Sequence, residues 1–245
     1  MLVAYTLFLP AQIKMAYWLS PKHKMKISWW KILSIVCLLY AFIGGLLMPV
    51  PAKAIVNESI RNLYYHVPMW FGMMILFFTS VVYAIKYLRS GKVVDDIYAH
   101  KFAATGMVMG VLGITTGAMW ATYTWGAPWS NDIKQILAAV ALLIYAAYFI
   151  LRGSITDIDK RARVSAVYNI FACAMLIPTL YIIPRMYDSL HPGGEGNPAM
   201  SQKDIDPLMR IIFWPAVLGW TLLGVWISTL QIRLQKIADK NILNG

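Results

Sequence analysis

The chain has 245 residues, of which 59% are hydrophobic and only 13% charged. A soluble domain of this size carries about 25% charged residues, so the composition excludes an ordinary water-soluble globule. The formal net charge of +11 would suit a nucleic-acid binder, but the charges cluster between long apolar runs. That is the pattern of membrane loops, and no nucleic-acid partner is expected.

Residues 1–20 are apolar but broken by Pro10 and Lys14. They lack a basic start and a small-residue cleavage site, so they are not expected to be a signal peptide. Two readings stay open: this segment lies along the inner membrane surface, or the chain proper begins later, for example at Met15. Six apolar runs follow, at residues 29–48, 63–85, 98–120, 133–151, 164–183 and 211–230. Each matches the roughly 20 helical residues that cross a hydrocarbon core about 30 Å thick. The alternating pattern of membrane strands is missing, and backbone groups in lipid must pair internally, so these runs predict helices. The predicted fold class is an all-α integral membrane protein, a single membrane domain of about six transmembrane helices.

Basic residues alternate along the chain. Lys22, Lys24, Lys26 and Lys31 precede the first span, and Lys86, Arg89, Lys92 and Lys101 lie around the second connection. Arg152, Lys160, Arg161 and Arg163 mark the fourth connection, and Arg233, Lys236 and Lys240 follow the last span. The other connections are poorer in positive charge. The positive-inside rule then places both termini in the cytoplasm.

Within the spans, Cys37 and Cys173 form no C-x-x-C pair and read as small apolar core residues. Span three carries Gly106, Gly110, Gly113 and Gly117, whose 4-3-4 spacing puts them on one helical face. Small residues let a neighbouring helix approach, and this reading gives them packing and no site. Pro178 and Pro215 fall inside spans and predict kinks. The longest outer segment, residues 184–210, holds the turn formers Pro192, Gly193, Gly194, Gly196, Asn197 and Pro198.

Three features share the outer face. The stretch 120–132 reads as a short loop holding Trp120, Tyr123, Trp125 and Trp129, with Gly126 and Pro128 fixing the backbone. An interfacial aromatic belt accounts for one or two tryptophans at helix ends. A loop so dense in them is a flat apolar platform, which marks a binding surface and suits a porphyrin ring. His66 lies near the outer start of span two and His191 in the last outer loop, whereas His23 and His100 fall on the cytoplasmic side. A single membrane histidine is commonly hydrogen-bonded to a neighbouring helix. Two beside one platform point instead to the two axial positions of a haem iron. Arg61, Lys134, Arg185 and Arg210 are either headgroup anchors or partners for haem propionates. Asp132 directly precedes span four with Gln135 three residues on, the spacing of an N-cap with a partial capping box.

These residues resemble a known family. Trp125-Gly-x-x-Trp129-x-x-Asp132 is similar to the tryptophan-rich "WWD" signature of haem-handling proteins of cytochrome c maturation. The six-span size resembles the haem exporter protein C (CcmC) branch. Arg61-x-x-Tyr64-x-His66-Val67-Pro68 resembles the segment bearing that branch's first axial histidine. Leu190-His191, with Ile205-Asp206-Pro207-Leu208-Met209-Arg210 after it, resembles the segment bearing the second. Pro128 and Asn131 stand where further tryptophans are common, and Lys134 where arginine is, which keeps the charge but loses the bidentate fork.

The resemblance implies a non-enzymatic protein of the bacterial inner membrane that holds haem b transiently at the periplasmic face. It implies transfer to a membrane-anchored haem chaperone of the CcmE type, and association with the ABC transporter subunits of the maturation system. There is no Walker A motif, so ATP hydrolysis is expected of a partner. The expected site is His66 and His191 as axial ligands, Trp120, Trp125 and Trp129 against the ring, and Asp132, Arg61 and Lys134 around them. The alternatives are a haem transport permease, or an assembly scaffold whose tryptophans bind only protein.

Overall fold

A computed structural model describes residues 27–52, 56–191 and 205–244. Residues 1–20, His23, Lys22, Lys24, Lys26 and the turn formers of residues 192–198 lie outside the described residues. Six helices are long and apolar enough to cross a membrane, and the described residues include no strand. They are α1 (Trp29–Leu47), α2 (Leu63–Ser90), α3 (Val93–Trp125), α4 (Ile133–Ser154), α5 (Ile158–Ile177) and α6 (Pro207–Asn244). A 3-10 helix, Asn57–Asn62, leads directly into α2.

Local chemistry sets the ends of these helices. Gly91, at φ +66°, stops α2, and Lys92 starts α3 at once. Helix α3 runs on to Trp125, where Gly126 takes φ +80° and its N–H closes on the Thr122 carbonyl at 3.1 Å. A residue without Cβ adopts that left-handed cap most readily. Trp120, Tyr123 and Trp125 are therefore helical, and the expected loop of residues 120–132 shrinks to residues 126–132. Pro178 has no N–H to give, and there the α-helical part of α5 ends. The chain rewinds into a π-turn, Pro178–Ile182, and a 3-10 turn, Ile183–Arg185. Helix α6 continues as one helix through Pro215.

Helices α2 and α3 pair antiparallel along the glycine face. Gly106 meets Phe77, Gly110 meets Met73, Gly113 meets Trp70 and Gly117 meets His66. The large residues repeat the 4-3-4 spacing of the glycines in the reverse direction. A Cβ on each glycine would come within 2.9, 2.8, 2.9 and 2.6 Å of those side chains. The fit between bulky and missing side chains brings the two helices close where lipid supplies no hydrophobic drive.

Helix α6 covers α1 and α2. Gly219 lies against Cys37 and Leu38, and Ser34 Oγ donates to the Gly219 carbonyl at 3.1 Å. Both cysteines are buried and unpaired. In the core, Phe77 stacks on Tyr145 with ring centroids 3.5 Å apart. At the end of the bundle far from His66, Arg152 grips Asp96 through both nitrogens at 2.8 and 2.6 Å. That paired charge ties α3 to α4, since neither group is left uncompensated.

Candidate functional site

The start of α2, the end of α3, the start of α4 and the segment after α5 converge at one end of the bundle. His66 sits one turn into α2. Its Nδ1 lies 2.9 Å from the Gly113 carbonyl and 3.2 Å from Thr116 Oγ1, both on α3. Thr116 Oγ1 is itself within donating distance of the Leu112 carbonyl at 2.8 Å. A carbonyl only accepts, so the proton is on Nδ1 and the Nε2 lone pair is left for a ligand.

The same logic holds for His191. Its Nδ1 lies 2.9 Å from Asp132 Oδ1, and its backbone N–H donates to Ser189 Oγ at 3.2 Å. Asp132 Oδ1 also accepts from Ser189 Oγ at 3.1 Å and from the Lys134 N–H at 2.9 Å. Its Oδ2 accepts from the Leu190 N–H at 2.7 Å. One buried carboxylate thus caps α4 and folds the segment after α5 back onto it. It also fixes the tautomer of the imidazole, as an outer-shell partner does for a metal-ligating histidine.

Electrostatics agree with this geometry. Burial by itself pushes the Asp132 carboxyl up. The Leu190 N–H, His191, the Ser189 hydroxyl and the Lys134 N–H outweigh that and hold it below the usual carboxylate range. Burial is the largest influence on His191 and lowers its pKa, against the opposing pull of Asp132, so the ring is neutral near pH 7. A neutral imidazole is the form that binds iron.

The expected capping box is only partly formed. Gln135 Oε1 accepts from the N–H and Oγ of Ser130 at 2.9 and 3.0 Å, two residues before the cap. Its Nε2 donates to the Pro128 carbonyl at 3.4 Å, so Gln135 clasps the loop.

The three tryptophans have different partners. Trp120 meets His66 edge to face at 6.0 Å and donates through Nε1 to Ser59 Oγ at 3.1 Å. Trp125 meets His191 edge to face at 4.9 Å. Trp125 lies five positions after Trp120 on the helix, a rise of roughly 7.5 Å. Each therefore walls one histidine. Trp129 is 43% exposed, with its Nε1 donating to Asn131 Oδ1 at 2.9 Å.

The basic residues divide. Arg61 donates through Nε to Glu58 at 2.7 Å and through Nη1 to the Gly45 and Met48 carbonyls at 2.9 and 2.7 Å. It thereby ties the end of α1 to the 3-10 helix. Arg210 donates through Nε to the Ile205 carbonyl at 2.8 Å. Lys134 stands within the Asp132–His191 group, and its charge acts on His191.

Sequence reading missed the glycines as site residues. Gly113 supplies the acceptor for His66, and Gly117 leaves the space its ring fills. The only signal was that their face reaches the depth of His66. Gly117→Ala is expected to displace the ring, with an overpacking cost of about 1–3 kcal/mol. Gly153→Ala, where an added methyl meets nothing within 4 Å, is the control. Melting curves of the two variants compare them directly; equal melting would show that the close approach carries no strain.

Among the described residues no three His, Cys, Asp or Glu side chains gather as for a bare metal ion. Two imidazoles whose Nε2 atoms make no hydrogen bond among the described residues instead suit a metal whose remaining positions are filled by its own macrocycle.

Fold and site together define a multi-pass helical membrane protein with two pre-oriented imidazoles at one end. The chain belongs to the family described as "Heme exporter protein C" (CcmC), whose pattern it matches over residues 11–243. It is 21% identical to the "Heme exporter protein C" of Haemophilus influenzae over 242 residues, covering 91% of this chain and 93% of that one. It is 21% identical to the protein of that name in Paracoccus denitrificans over 206 residues, 81% of each chain. A shorter likeness joins it to the "Cytochrome c biogenesis protein CcsA" of Pelargonium hortorum. The two are 35% identical over 79 residues, 32% of this chain and 25% of that protein.

Proposed function

We propose that this protein holds haem b transiently between His66 and His191 and presents it to a membrane-anchored haem chaperone of the CcmE type during cytochrome c biogenesis. One observation carries the reading: both Nδ1 atoms are engaged by protein acceptors, which leaves both Nε2 atoms as ligands. Family membership and the names of the relatives point to the same cargo and pathway.

Trp120 and Trp125 would bound the haem beside each histidine, with Trp129 at its exposed edge. Lys134, whose charge already acts on His191, and Arg61, which also holds Glu58 and the carbonyl end of α1, are the candidates to meet the propionates. Tyr123, 81% exposed, and Trp129 offer apolar surface on which the chaperone can dock over the haem edge. Most of the described basic residues gather at the opposite end of the bundle, which supports a periplasmic haem site in a bacterial inner membrane with both termini cytoplasmic. The protein acts by binding rather than by catalysis, and the ABC transporter subunits of the maturation system supply any ATP hydrolysis.

The test is the absorption spectrum of the detergent-purified protein after haem is supplied, followed by mixing with the purified chaperone. A low-spin Soret band that moves to the chaperone is expected. Protein that stays haem-free overturns the reading in favour of a scaffold. Haem crossing sealed vesicles with no chaperone present would favour a permease.

A further inference from the structure

A groove of about 410 Å³ runs between α4 and α5 at the end of the bundle opposite the histidines. Its lining is Arg163 at the mouth, then Val164, Val167, Tyr168 and Phe171 along α5, with Leu151 of α4 opposite. These α5 residues follow a helical stripe, so they face one way over a rise of roughly 12 Å. Half of a hydrocarbon core is about 15 Å deep. The groove is therefore about as long as one leaflet is thick, with a cation at the headgroup end. Tyr168 closes its floor, donating across to the Ile144 carbonyl at 3.3 Å and meeting Phe171 edge to face at 5.7 Å.

Arg163 is exposed, and no ion pair involves it among the described residues. Arg152, on the facing helix, is by contrast fully committed to Asp96. Lys160 and Arg161 precede Arg163 on the same helix end and add positive charge at the rim. Asp157 and Asp159 lie at the same helix end, against the three cations Lys160, Arg161 and Arg163, so the rim keeps a net positive charge. An apolar slot about one leaflet long, with Arg163 at such a rim, has the chemistry to hold one acyl chain of an acidic phospholipid. A guanidinium binds a phosphate through two parallel N–H donors, and basic pockets between membrane helices select acidic headgroups.

We infer that the α4–α5 groove binds an acidic phospholipid, with Arg163 on the phosphate and Val167 and Phe171 along an acyl chain. The test is native mass spectrometry of the full-length protein from nanodiscs holding equal phosphatidylglycerol and phosphatidylcholine. Wild type should retain phosphatidylglycerol at least about fivefold over phosphatidylcholine, the ratio that about 1 kcal/mol per basic residue implies. Arg163→Gln should remove that preference. Val167→Trp, which fills the groove and keeps the cation, should lower retention of both lipids. Arg233→Gln, a basic residue off the groove, should change neither. Equal retention of the two lipids by wild type overturns the proposal, and leaves the groove to a helix of another chain. An equal loss in Arg163→Gln and Arg233→Gln also overturns it, since diffuse surface charge would then explain the preference.

Discussion

Haem retention should collapse when His66 and His191 are both replaced by alanine, by more than the roughly 10–100-fold that follows the loss of an outer-shell partner. Each single replacement should leave one axial ligand and turn the low-spin spectrum into a five-coordinate, high-spin one. The physical reason is the tautomer: Gly113 and Asp132 hold the two Nδ1 protons, so each Nε2 is fixed as an acceptor before haem arrives. The His66 ring also fills the space above Gly117 and packs against Trp120, so His66→Ala leaves a cavity as well. Added imidazole separates the two effects. It should restore the low-spin band if ligation was lost, and should do nothing if only packing was. A double variant with an unchanged spectrum would sink the axial assignment.

Asp132→Ala should have the next largest effect. The carboxylate receives four donors, from Lys134, Ser189, Leu190 and His191. Losing the cap costs about 0.5–2 kcal/mol. Leu190 is 56% exposed, so its freed N–H can turn to water and adds little to that cost. Haem affinity should fall about 10–100-fold because His191 loses its orienting partner. Asp132→Asn keeps the shape and the cap to Lys134 while removing the charge. It should recover most of the melting temperature and little of the affinity. Equal loss of both in the two variants would reduce Asp132 to a helix cap.

The pH dependence follows from the same pair. The Asp132 pKa is depressed, so its contribution is complete above the ordinary carboxylate value of about 4 and is lost only as pH falls through the lower folded value. The His191 pKa is also depressed, chiefly by burial. An unfolded imidazole takes up a proton near pH 6.5, while the folded ring resists it until lower pH. Haem retention should therefore stay flat from about pH 8 down through the free-imidazole value of about 6.5, and weaken only as pH falls through the lower folded value of His191. A loss that begins at alkaline pH would contradict this.

The sequence alone determined the class of fold, because six apolar runs of bilayer length leave the backbone no choice but helix. It also marked His66, His191 and Asp132, because a cap spacing and rare polar residues near helix ends are local signals. The glycine face of α3 was visible as well, since its 4-3-4 spacing is a property of one helix. What that face met was not visible. Only the antiparallel pairing of α2 with α3 brings Gly113 and Gly117 to His66 and turns a packing stripe into the bed of its ring. Likewise, Asp132 read as a helix cap, because a cap needs only its own next turn. Its bonds to Ser189, Leu190 and His191 cross 57 to 59 residues of chain. Trp120 and Trp125 read as loop because aromatic density carries no information about where a helix stops. That end was decided by Gly126, and the facing of each tryptophan by the histidine packed against it. Arg61 shows the same limit: its charge was legible, but a carbonyl end of α1 within reach of the guanidinium exists only once α1 has packed beside α2. Hydrophobicity and spacing act along one helix and can be read from it, whereas the partner of a polar group is fixed by which helices touch.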